Sequence, residues 1–186
     1  MKLLDEKDII REIKSDAWMM LILKTVKTLN LPDWWICAGF VRSKIWDLLH
    51  GFEGRTPLPD IDVIYFDTKN TDEITEKRLE EKLKVLMSNV PWSVKNQARM
   101  HIKSNMSPYS SSIDGISKFP ETVTALGVKL DNKNNVILTA PWGVQDVLNL
   151  EVKPTPYFCK TKERMEIYKM RVTNKNWKAV WPKLKI

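Results

Sequence analysis

The chain has 186 residues, 43% of them hydrophobic and 28% charged, which suits one soluble domain with a full core and excludes a disordered or fibrous protein. Thirty Lys and Arg against twenty-three Asp and Glu give a formal charge of +7, which favours polyanionic partners such as triphosphates or nucleic acid. Two cysteines, Cys37 and Cys159, show no metal-ligand spacing and no disulfide framework, so a reducing compartment is expected. The longest apolar run, residues 17–23, falls far short of the roughly 20 residues needed to span a bilayer. Acidic residues interrupt the N-terminus where a signal peptide needs an apolar stretch, and the expected location is the cytoplasm, with no membrane partner.

In chain order, the first thirty residues read as two helices. Leu3, Leu4, Ile9, Ile10 and Ile13 recur at helical spacing, and Ser15 is placed to cap a second helix through Trp18, Leu21, Ile22 and Val26. Residues 34–38 are a short buried strand. Gly39 follows, and residues 41–49 put Val41, Ile45, Leu48 and Leu49 on one helical face. A Gly- and Pro-rich loop, 51–59, leads to a strand at 60–67 and an amphipathic helix at 71–87. Residues 92–98 are a third strand, expected to lie inside the sheet. A polar loop (103–112) and a short helix (113–118) come next. Residues 123–130 and 136–140 bracket the turn-forming DNKNN as a hairpin. A helical turn at 144–148 and a last helix including 165–171 complete an α/β or α+β domain. We divide it into N-terminal helices (1–33), a core (34–152) and a basic C-terminal extension (153–186).

The most informative triplet is Asp60-Ile61-Asp62. On a strand, residues i and i+2 share a face, so both carboxylates stand side by side about 6.5–7 Å apart. Two hard oxygen donors so placed suit Mg²⁺ (or Mn²⁺), whereas two like charges on a mostly buried strand are costly without a cation. Taken alone, D-x-D is common and fits a solvated loop-to-strand junction. Upstream, a strand ends at Gly39 and a helix follows at once, a layout whose free N–H groups favour an anion. Arg42, in the first turn, is placed to reach a phosphate oxygen; a surface salt bridge is the plainer role.

Ala38-Gly39-Phe40-Val41-Arg42, then Leu48-Leu49-His50-Gly51, then Asp60-Ile61-Asp62 resembles the head of the polymerase-β-type nucleotidyltransferase superfamily. The layout is similar to the G-G-x-V-R-D…L-L-G…D-x-D pattern of tRNA-nucleotidyltransferases and bacterial poly(A) polymerases, with Ala38 at the first glycine and Ser43 at the aspartate after the arginine. LPDWWICAGFVRSKIWDLLHG, DIDVIYFD, WSVKNQARMH, FPETVTALGVKL, APWGVQDVLNLEVKPTP and KNWKAVWPKL resemble a bacterial nucleotidyltransferase-like family of small stand-alone proteins. The resemblance implies a minimal nucleotidyltransferase fold, a mixed sheet flanked by helices. It also implies a metal at Asp60 and Asp62, and transfer of a nucleoside monophosphate from an NTP to an unidentified acceptor, RNA or a small molecule, with release of pyrophosphate.

Superfamily enzymes usually carry a third carboxylate on a later strand, and WSVKNQAR has none; Asn96 or Lys95 stands in its place. Three readings stay open. The carboxylate comes from elsewhere, with Asp114 or Glu121 the candidates. The enzyme runs on two aspartates. Or the domain is a catalytically silent nucleotide- or RNA-binding protein. Asn96, Arg99 and His101 are candidate contacts to base, triphosphate or acceptor, or else mark a strand end emerging into solvent. Lys175, Lys178, Lys183 and Lys185, interleaved with Trp177 and Trp181, fit a stacking surface for RNA or a packed C-terminal strap.

Overall fold

The computed structural model describes residues 3–104 and 106–186; Met1, Lys2 and Asn105 of the expected polar loop lie outside them. Helices α1 (Glu6–Ser15) and α2 (Ala17–Lys27) lead into strand β1 (Trp35–Cys37) and helix α3 (Gly39–His50). Strand β2 (Ile61–Tyr65), helix α4 (Glu73–Leu86), strand β3 (Trp92–Asn96) and helices α5 (Gln97–Ser104) and α6 (Ser112–Ser117) follow. Strands β4 (Gly127–Leu130) and β5 (Val136–Thr139) form the expected hairpin, and α7 (Gln145–Leu148) and α8 (Lys162–Lys175) complete an α+β domain. Asp5 and Asp16 cap α1 and α2 by accepting from Asp8 N and Met19 N. Ser15 does not cap α2: it ends α1, and its hydroxyl donates to the Glu12 carbonyl, leaving the junction to Asp16.

The five strands run in the order β3-β2-β1-β4-β5, with β2 and β3 parallel and every other pair antiparallel. Strand alternation splits the sheet into two unlike faces. Ile36, Ile61, Val63, Val94 and Val128 point into a large core shared with α1, α2, α3, α4 and the C-terminal residues Trp177, Trp181 and Leu184. Trp35, Cys37 and Ile64 point the other way, into a small cluster closed by Ile116 and Ala125. Cys37 pairs with Asp62 and Trp35 with Ile64 across β1 and β2, so Asp62 belongs to this thinly covered face.

Strand β3 lies at the sheet edge, not inside it, and that explains its polar sequence. Two carboxylates on α4 take the place of a neighbouring strand. Glu80 accepts from Val94 N at 3.0 Å and Glu76 from Asn96 N at 2.8 Å. Both acids are buried, and a protected edge cannot pair with another chain. Glu76 also holds Arg99 through two bonds, Nε at 2.7 Å and Nη2 at 2.6 Å.

Residues 176–186 form a strap back over the body. Lys185 exchanges backbone hydrogen bonds with Val152 and Leu150, and the Trp181 indole donates to Asp47 at 2.9 Å. The strap is a packed element, because Trp177, Trp181 and Leu184 are buried. Among the described residues no helix is long and apolar enough to cross a membrane.

Glu76→Ala strips Arg99 of its bidentate partner and Asn96 of its edge acceptor. Breaking a buried pair by removing one member costs about 3–5 kcal/mol. The urea midpoint should fall accordingly, and an unchanged midpoint would show that the edge does not depend on α4.

Candidate active site

Strand β1 ends at Cys37, and Ala38 turns the chain into α3 with φ 53° and ψ −116°. Such a conformation is open to glycine and strained for alanine. The turn directs the Ala38 carbonyl to accept from Val41 N and Arg42 N, while its own N–H donates to Leu126. No side chain caps α3. The first-turn amides therefore face the space beside Gly39 and Asp62 with the positive end of a twelve-residue helix behind them. At Gly39 a Cβ would meet only ordinary contacts, 3.5 Å to Arg42 Nη2 and 3.7 Å to Leu58, so the glycine leaves room without being forced by the protein itself.

Asp60 is exposed and Asp62 half-buried. Burial, and then the charge of Asp60, push the Asp62 carboxyl up to about 6, against the pull of Lys175, Arg42 and Arg171. Beneath it the Cys37 thiol is pushed well up, first by burial and then by Asp62, so it stays a neutral thiol. Arg42 is buried, and burial lowers it to about 10 against the pull of Glu121, Asp62 and Asp60, so it remains a cation at neutral pH. Its side-chain hydrogen bond among the described residues is a long one, Nη2 to Ser43 Oγ at 3.3 Å, and its Nε is buried without a partner. Three indoles hold it instead, with ring centroids 4.6 Å (Trp177), 5.1 Å (Trp46) and 5.8 Å (Trp181) from the guanidinium carbon.

These residues line one side of a cleft of about 430 Å³. The other walls carry Lys95, Gln97, Tyr109, Lys118, Phe119, Arg171 and Lys175. Arg171 and Lys175 lie one turn apart on α8 and face the aspartates. Glu121 aims Arg171, accepting from Nε at 2.9 Å, and is itself fully buried and bonded to the Thr124 hydroxyl. A smaller cavity of about 150 Å³ beside Asp16, Lys44 and Arg55 shares no residue with the cleft, and both of these cations are already paired with Asp16.

The family profile described as Nucleotidyltransferase matches residues 24–186. The chain belongs to that family. Among solved structures, it is 37% identical, with a TM-score of 0.86, to a protein whose NMR structure reveals a CCA-adding enzyme head domain; the match covers 97% of this chain and 94% of that one. It shares its fold with a CCA-adding enzyme in complex with ATP (18% identity, TM-score 0.53) and one in complex with CTP (15%, 0.54). The alignments cover 93% and 92% of this chain but only 42% and 40% of those enzymes, so the chain spans about two-fifths of their length. A search of curated proteins finds no match.

Of the residues singled out in the sequence, the fold brings Gly39, Arg42, Asp60, Asp62, Lys95, Lys175 and Trp177 together in the cleft. It does not bring Asn96, Arg99, His101 or Asp114 to the cleft lining. Asn96 is fully buried and ties the chain after β2, accepting from Asp67 N and donating to the Asp67 and Asn70 carbonyls. Arg99 is spent on Glu76. His101 is half-buried with Nδ1 unpartnered, and Asp114 binds Lys118 at 2.9 Å and Ser110 N. Lys95 rather than Asn96 faces the cleft, because β3 alternates and Lys95 pairs in register with Ile64. Arg171 went unnoticed in the sequence, where nothing separates it from other basic residues of the C-terminal extension.

Asp62 binds its proton more tightly in the folded chain than its ordinary value of 3.8, so stability falls as pH rises from about 4 through about 6. Asp62→Asn should therefore stabilise the metal-free protein at pH 7 by about 1–3 kcal/mol, with the gain vanishing by pH 4. Equal thermal midpoints of both proteins at pH 7 would refute the strain assigned to the pair. Ala38→Gly should relieve the backbone turn and add about 1 kcal/mol in urea unfolding; a loss of stability would show the turn is unstrained.

Proposed function

We propose that the protein is a metal-dependent nucleotidyltransferase that moves a nucleoside monophosphate from an NTP to an acceptor hydroxyl or phosphate. The observation that carries this reading is Arg42: a buried guanidinium with no carboxylate hydrogen bond among the described residues, at a helix N-terminus with no side-chain cap, beside the Asp60–Asp62 pair. Such a group has anion-binding capacity to spare.

The donor set suits a divalent cation. Among the described residues no three acidic, His or Cys side chains gather to hold a metal, yet Mg²⁺ commonly takes one or two carboxylates and completes its shell from substrate phosphates and water. Asp60 and Asp62 would hold it, and their mutual repulsion is the charge it would offset. When bound, the ion (Mg²⁺ or Mn²⁺) supplies positive charge to the triphosphate and lowers the pKa of an acceptor hydroxyl. The α3 amides and Arg42 grip the triphosphate, and Arg171 and Lys175 face the leaving pyrophosphate from the opposite wall. The acceptor oxygen bonds to the α-phosphorus, the bond to the bridging oxygen breaks, and the acceptor's proton passes to solvent. Catalysis on this scheme is positioning and charge neutralisation.

A second reading is a catalytically silent nucleotide- or RNA-binding protein. Lys95 favours it, since the cleft face of β3 carries a lysine, its ammonium 3.6 Å from both Glu76 and Glu80, where superfamily enzymes usually add a carboxylate.

Incubation with labelled NTPs, Mg²⁺ or Mn²⁺ and cell extract should label an acceptor, and Asp62→Asn should reduce labelling by about 10²-fold or more. Calorimetric binding of Mg–NTP with no pyrophosphate released under any of these conditions would replace transfer by the silent reading.

A further inference from the structure

Gln97 closes the far end of the cleft from Asp60. It follows β3 directly and opens α5, two residues beyond Lys95 on the side of the strand that lines the cleft. The residue is only 4% exposed, that exposure opens onto the cleft, and no hydrogen bond ties its amide to another described residue. An amide at a cleft wall that the fold itself does not use keeps its donor and acceptor available to a ligand.

The protein makes room for this amide. A Cβ at Gly115 on α6 would stand 2.6 Å from Gln97 Oε1, 3.4 Å from its Cδ and 3.2 Å from the Tyr109 ring. Only a glycine lets the amide lie where it does. Tyr109 and Phe119 line the same end, and Ile64 provides an apolar floor between Gln97 and Asp62. Asp62 is level with Ser93 in the sheet register, and Gln97 follows four residue positions further on, which strand spacing puts on the order of 13 Å from Asp62. That is the span from a metal-bound phosphate to the outer edge of a base.

On the nucleotide reading of the cleft, we infer that Gln97 reads the edge of the nucleobase, with Gly115 setting the amide in place. A primary amide offers one donor and one acceptor side by side and matches a base edge bidentately. With Oε1 set in the space that Gly115 leaves, the amide separates bases presenting an amino group beside a ring nitrogen (adenine, cytosine) from those presenting a carbonyl beside a ring N–H (guanine, uracil). Lys118 stands beside it but is committed to Asp114, so the neutral amide is the group free to select.

The test measures binding of the four Mg–NTPs and of Mg–tripolyphosphate, which has no base, to the full chain by calorimetry. The wild type should bind one pair of bases about tenfold or more tighter than the other. Gln97→Leu should erase that preference and leave tripolyphosphate affinity unchanged, and Gly115→Ala should do the same by displacing the amide. Gln97→Glu, which can only accept, should shift preference toward guanine, whose edge donates twice; loss of packing would not produce such a gain. Equal binding of all four NTPs by the wild type, or a preference that survives Gln97→Leu, overturns the inference while nucleotide binding stands. Failure of the wild type to bind both NTPs and tripolyphosphate removes the nucleotide reading itself, and the inference with it.

Discussion

A buried cation that makes no hydrogen bond to a carboxylate among the described residues organises this protein. Burial of a guanidinium is costly, and Arg42 meets that cost with indole faces and the field of Glu121, Asp62 and Asp60, not with a carboxylate hydrogen bond. One indole, Trp46, is on α3 itself. The other two arrive on the C-terminal strap, more than 130 residues further along. A carboxylate partner would have neutralised Arg42 and consumed its donors. Aromatic support keeps the charge and leaves the donors available.

The strap is tied to the aspartates through one side chain. Asp47 accepts from the Trp181 indole at 2.9 Å and from the Thr56 hydroxyl and amide at 2.6 and 2.9 Å. Thr56 belongs to the loop that delivers Asp60. Asp47 thus joins the far end of the chain, the helix carrying Arg42 and the approach to the carboxylate pair. Such coupling suits a site whose work is to hold charged groups in fixed relation.

Unequal coverage of the sheet decides where the site can be. Nearly all of the apolar surface is stacked on one face, and the other is closed only by Ile116, Ala125 and Phe119. Polar groups from β2, α3, α5 and α8 converge over that thin layer. At the free edge, Glu76 and Glu80 satisfy β3 without a further strand, which lets Lys95 and Gln97 face the cleft while Asn96 and Arg99 turn to structural bonds.

Local spacing was enough to read most elements, though not helix α5, whose start falls within the strand expected at 92–98, together with the α+β class and the convergence of Gly39, Arg42, Asp60 and Asp62. Those features depend on strand alternation, helix starts and short turns, which act over a few residues. The role of WSVKNQAR was not legible, because an edge strand and an internal one differ only in what lies beside them, and the α4 carboxylates answer that from twenty residues away. Gln97 looked like one polar residue among several until Gly115 was seen to make space for it. The sequence by itself determined that two carboxylates and a glycine–arginine turn would meet at a strand–helix junction. Only the tertiary structure decided which cations, aromatics and amide face them, since α6, α8 and the strap reach the cleft by long-range packing that no local pattern encodes.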